Sequence, residues 1–129
     1  MEWQPTDRQL DRAVEGTRHL RDSSKPQWVE ARQRLEASGI SPRDAVLSSW
    51  EAEGEGLMCG VVGLRDGRVI NFCVRYGLDR SRQPLEKGIG WITSWTEIPE
   101  EEVGLTSSGH PNAWAEDRII AREVFNLEG

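Results

Sequence analysis

"GVVGLRDGRVINF", residues 60–72, decides how this chain is read. Two apolar runs flank Asp66-Gly67, a dipeptide that supplies the positive φ angles of a two-residue type I′ turn, so the stretch is expected to form an antiparallel hairpin. A two-residue loop sets Arg65 opposite Arg68. Alternation along the paired strands then places Leu57, Cys59, Val61, Gly63, Ile70, Phe72, Val74 and Tyr76 on one face. Met58, Gly60, Val62, Leu64, Val69, Asn71, Cys73 and Arg75 fall on the other, and the first face is the expected core side. In this register Cys59 and Cys73 point to opposite faces, which argues against a disulfide between them. Two cysteines inside apolar strands read as small buried hydrophobes, and a reducing, cytoplasmic setting is the simpler expectation.

Upstream of the hairpin, "TDRQLDRAVEGTRHLRD" (6–22) predicts a helix, with Thr6 as cap and Gln9 completing a capping box. Leu10, Ala13, Val14, Thr17 and Leu20 share one face of it. Pro26 suits the first turn of a second helix, and Gly39 suits its stop. Residues 44–53 read as a strand carrying Val46, Ser48, Trp50 and Ala52 on one face, with a helix as the alternative. Downstream, "GIGWITSWTEIP" (88–99) predicts a strand with Ile89, Trp91, Thr93 and Trp95 on one face and Ile92, Ser94 and Thr96 on the other. The tail from Ala113 favours a helix, with a strand over its last residues left open. The pattern predicts one α+β domain over residues 1–129: an N-terminal helical hairpin, an antiparallel sheet of three to five strands, and a C-terminal helix packed on one sheet face. No run approaches the length of a membrane span, and no secretory leader is visible at the N-terminus.

Composition narrows the function. A net charge of −6 over 129 residues disfavours nonspecific binding to nucleic acid or acidic membranes. The charge is unevenly spread: residues 56–96 hold 6 basic against 3 acidic side chains, between acidic stretches at Glu51–Glu55 and Glu97–Glu102. Of the 16 basic residues, 14 are arginine, a bias that suits either a GC-rich genome or recognition of carboxylate and phosphate by planar forks. Cys59 or Cys73 with His110 and Asn112 has the residue types of a thiol hydrolase but no nucleophile signature around either thiol. His19, Cys59, Cys73 and His110 lack the close pairing of zinc ligands. The glycines of "GEG" and "GVVG" precede no phosphate-loop Lys-Ser/Thr pair. No catalytic constellation, metal site or cofactor is therefore expected.

What remains is tryptophan and acid. Six tryptophans stand against 2 phenylalanines and 1 tyrosine, and tryptophan is a common anchor of interfaces. Trp28 and Trp50 are expected in the core. Trp91 and Trp95, with Glu97, Glu100, Glu101 and Glu102 beside them, form the expected partner-binding surface for a basic protein. Small, acidic and α+β, the chain has the general character of the cytosolic neutralising partners that bacterial immunity proteins and antitoxins represent. The alternative is a small-molecule site or small enzyme with a pocket lined by Arg75, Tyr76, Trp91 and Trp95. Single-stranded nucleic acid held by Arg75, Arg80 and Arg82 is the weakest of the three readings.

Overall fold

A computed structural model of the chain describes residues 3–52, 57–75 and 91–128. Helices α1 (Asp7–Asp22) and α2 (Pro26–Ala37) and a 3-10 turn (Pro42–Asp44) lead into strands β1 (Ala45–Ala52), β2 (Leu57–Leu64), β3 (Val69–Arg75) and β4 (Trp91–Glu97). A second 3-10 turn (Glu100–Glu102) precedes helix α3 (Ala113–Glu128). The strands form an antiparallel meander in the order β1-β2-β3-β4. Among the described residues no helix is long and apolar enough to cross a membrane.

The helix boundaries follow local chemistry. Gln9 N donates to Thr6 Oγ1 (3.1 Å) and Thr6 N donates to Gln9 Oε1 (2.9 Å), the reciprocal bonds of a capping box. Pro26 occupies the first turn of α2. Gly39, at φ +79°, ends α2 while Ile40 N donates to Leu35 O (2.9 Å) and Gly39 N to Glu36 O (3.0 Å). These two bonds define a Schellman stop, and both apolar partners, Leu35 and Ile40, enter the core. Residues 45–52 form a strand and the tail from Ala113 a helix, as the pattern favours.

The β2–β3 hairpin forms, but one residue out of the expected register. Gly67 N donates to Leu64 O (2.9 Å) and Leu64 N to Arg68 O (2.8 Å), so the loop holds three residues, Arg65 to Gly67. This is a turn followed by a glycine at φ +98°, the three-residue alternative to the type I′ turn. Asp66 selects it, because its carboxylate accepts from both Arg68 N (3.0 Å) and Arg68 Nε (2.8 Å). Leu64, not Arg65, therefore lies opposite Arg68.

A one-residue slip exchanges the faces of one strand relative to the other. The core side of β3 is as expected, with Ile70, Phe72 and Val74, but β2 supplies Met58, Val62 and Leu64 rather than Leu57, Cys59 and Val61. The same slip brings Cys59 directly opposite Cys73, at a Cα–Cα separation of 4.1 Å, and the two form a disulfide. The expectation of separated cysteines is thus overturned by the one-residue change of register.

Two bulges alter the other strands. In β1, Leu47 pairs with Val62 and Ser49 with Val61, leaving Ser48 as the extra residue. Val46 therefore packs toward α3, while Leu47 and Trp50 pack on the opposite side, so the expected common face of Val46 and Trp50 is broken. In β4, Ser94 pairs with Cys73 but Ile92 with Val74, so Thr93 is extra. Trp95 and Ile92 join the main core, and the Trp91 backbone pairs with Arg75.

Two cores result. The larger lies between the sheet, α2 and the end of α1, around Leu20, Trp28, Leu35, Leu47 and Phe72. The smaller lies under α3, around Ala13, Val46, Ile120, Ala121 and Val124. Gly63 permits this second layer: a Cβ there would stand 2.3 Å from the Ala121 Cβ. Helix α1 runs along the open edge of β1. Thr17 Oγ1 accepts from Leu47 N (3.1 Å) and Arg12 donates to Trp50 O, so side chains take ladder positions that another strand would otherwise fill.

Candidate functional site

The bulge at Ser48 sets the site. Near it, the first half of α1, β1, β2 and the first half of α3 enclose a cleft of about 370 Å³. Asn112 places the α3 wall: its Oδ1 accepts from Ala115 N (2.9 Å) as a helix cap, and its Nδ2 donates to Glu102 O (2.6 Å). The wall so positioned carries Glu116 and Asp117; the sheet floor carries Ser48, Ser49, Glu51, Cys59 and Asn71; α1 contributes Gln9 and Arg12.

Asp117 is the unusual group. It is 7% exposed, on a helix face otherwise occupied by Ile120, Ala121 and Val124. Burial pushes its carboxyl up to about 6, opposed by hydrogen bonds from Ser49 and Ser48 and assisted by the nearby charge of Glu116. The serines cannot offset burial fully, because the single hydroxyl proton of Ser48 is also shared with Val61 O (2.9 Å). Asp117 makes no ion pair among the described residues, and the nearest guanidinium of the lining is engaged elsewhere. Arg12 donates to Trp50 O and lies over the Trp50 ring, 5.2 Å from its centroid. At the mouth, Glu116 lies 3.8 Å from His110, which in turn stands edge-on to Trp3. Among the described residues the lining thus holds three carboxylates, Glu51, Glu116 and Asp117, against the one guanidinium of Arg12.

The residues expected from sequence lie elsewhere. Trp95 packs on Phe72, with ring centroids 5.9 Å apart, beneath Arg34 at 5.9 Å, and so closes the α2-side core. Glu97 lies 3.7 Å from Arg68, and Glu100 receives both terminal nitrogens of Arg118 (2.9 and 2.5 Å). That pairing holds the Glu100 carboxyl below the ordinary range, through the Arg118 hydrogen bond first. Glu101 and Glu102 are exposed and make no ion pair among the described residues. Arg75 is half-buried at the end of β3; Tyr76, Arg80 and Arg82 and the Trp91 side chain lie outside the described residues. Among the expected residues that are described, none lines the cleft.

Cys59 and Cys73 are joined, so neither is a thiol nucleophile in this structure, and Asn112 serves as a helix cap. Sequence reasoning misses Asp117 and its serines, yet one signal exists. Asp117 falls at helical spacing with Ala113, Ile120 and Val124, a carboxylate in an apolar stripe. Comparison with protein-family models, curated proteins and solved structures finds no match to this chain.

Proposed function

We propose that this chain is a recognition protein for a basic partner, and that the cleft receives a lysine or arginine side chain of that partner. The observation that carries this reading is Asp117: a buried carboxyl on the α3 wall of the cleft, without a cation among the described residues and with two further carboxylates in the lining. A buried charge is stable only when paired, and the incoming cation supplies the pair. Glu101 and Glu102 stand free to steer a basic surface, whereas Glu97 and Glu100 are partly neutralised by Arg68 and Arg118. A neutralising partner of the kind immunity proteins and antitoxins represent fits this design.

The test is titration with short peptides of equal length, rich in arginine, lysine or glutamate, followed by backbone amide NMR. Saturable binding of the basic peptides, with shifts at Ser48, Ser49 and Glu116, is expected, and its loss in Asp117→Asn. No binding of any basic peptide overturns the reading. If agmatine, a small alkylguanidinium that also carries an ammonium, binds as tightly as the peptides, the cleft is a small-molecule site instead.

Steering gives a separate prediction. A Glu101→Ala/Glu102→Ala variant will fold normally, because both side chains are exposed and neither is bonded among the described residues. Its association with the basic peptide will slow by roughly threefold at low salt and lose part of its salt dependence, measured by stopped flow. An unchanged association rate would remove these residues from the recognition surface.

A further inference from the structure

The acidic cleft has a counterpart at the other end of α1 and α3. There the chain forms a wide concavity of about 820 Å³ lined by four arginines, Arg21, Arg32, Arg43 and Arg65, with Ser41 and Asp22. We propose that this concavity is a binding site for a phosphate group of a small molecule, as a monoester or diphosphate.

Helix electrostatics accounts for part of the cluster and not for the rest. Arg32 donates to Leu20 O (2.9 Å) and Ser23 O (3.1 Å), tying off the C-terminus of α1. Arg21 donates to Arg43 O (3.2 Å), which holds it against the 3-10 turn. Arg43 and Arg65 come from other elements, the 3-10 turn and the hairpin loop. Arg65 is fixed by Asp44 at 3.1 Å on one edge and by the Phe125 ring 4.3 Å beneath it. The guanidinium of Arg43 is exposed and makes no hydrogen bond or ion pair among the described residues.

Four arginines thus line one space in a chain of net charge −6. Among the described residues, Asp22 lines the same concavity and Asp44 lies beside it, engaged by Arg65. The exposed guanidinium of Arg43 is the group that most directly offers its donors to an anion there. Donors arriving from α1, the 3-10 turn and the hairpin suit a tetrahedral group with several oxygens better than a planar carboxylate, which one guanidinium would satisfy. The Ser41 hydroxyl accepts from Arg43 N (3.3 Å) and keeps its own proton for a ligand oxygen.

The experiment uses the full chain and calorimetric titration with inorganic phosphate and pyrophosphate, against sodium chloride at matched ionic strength. Saturable binding, tighter for pyrophosphate, is expected. Arg43→Gln should weaken it about tenfold, the loss of one charge-assisted hydrogen bond. Arg8→Gln, an exposed arginine outside the concavity, should leave it unchanged, as should Asp117→Asn, which keeps this result separate from that of the acidic cleft. Arg43 is exposed, and an unchanged melting temperature of the variant will show that its fold is intact. Absence of saturable binding overturns the proposal, as does equal weakening by Arg8→Gln. Binding of a single-stranded oligonucleotide without binding of pyrophosphate also overturns it, in favour of an extended polyanion surface.

Discussion

Asp117→Asn will make the protein more stable at pH 8 and unchanged at pH 3. The Asp117 carboxyl titrates near 3.8 in the unfolded chain and is pushed up to about 6 by burial in the fold. A raised folded value means the native state holds its proton more tightly. The stabilising contribution is therefore fully present below about pH 4 and is lost as pH rises through about 6. The gap between these two values corresponds to about 3 kcal/mol, the stability that the parent loses across this window and the asparagine variant keeps. Chemical denaturation at pH 3, 5 and 8 measures it. If the variant is less stable than the parent at pH 8, the fold itself compensates the carboxylate. The cleft then needs no incoming cation, and the recognition reading loses its main support. A gain in stability joined to a loss of basic-peptide binding would show a residue kept for function at the expense of stability.

Reduction of the Cys59–Cys73 bridge will have an effect of similar size. The bond closes a loop of 14 residues, and cross-linking a loop of that length restricts the unfolded chain by about 3 kcal/mol. A reductant should lower the melting temperature by roughly 10 °C. The Cys59→Ala/Cys73→Ala variant should melt where the reduced parent does and ignore the reductant. Because the cysteines sit opposite each other within a seven-pair ladder, the hairpin is expected to persist without the bond. Cys59 also lines the acidic cleft, so peptide affinity measured with and without reductant will show how far that wall shifts. A melting temperature indifferent to reductant would mean that the two thiols are not bonded in solution.

Much of the architecture is legible in short stretches of the chain, because the determinants are local. The Thr6–Gln9 box, Pro26 and Gly39 set helix ends through bonds spanning at most five residues. Asp66-Gly67 between apolar runs marks a hairpin whatever its loop length. The face of β3 carrying Ile70, Phe72 and Val74 follows from alternation in an unbulged strand.

The site is far less legible. The tryptophans and glutamates that stand out are conspicuous as residue types, but Trp95 is needed by the core and Glu100 by Arg118. Asp117 is unremarkable in "AEDRII" unless the helix phase is known to turn it inward. The four arginines of the second concavity come from residues 21 to 65, and only packing brings them to one place.

Sequence alone determined the fold class, the limits of the two N-terminal helices and the existence of the hairpin, since each depends on backbone preferences expressed within a few residues. Tertiary structure decided the register of β2 on β3, and with it the disulfide and the face presented to each core. Type I′ and three-residue turns differ little in local preference, and the choice rests on how Asp66 and Arg68 bond and on which strand face the helices cover. It also decided the bulge at Ser48, and so where a buried carboxylate meets two serines. A bulge is a compromise between ladder pairing and the packing of α1 and α3, and neither helix lies near Ser48 in sequence.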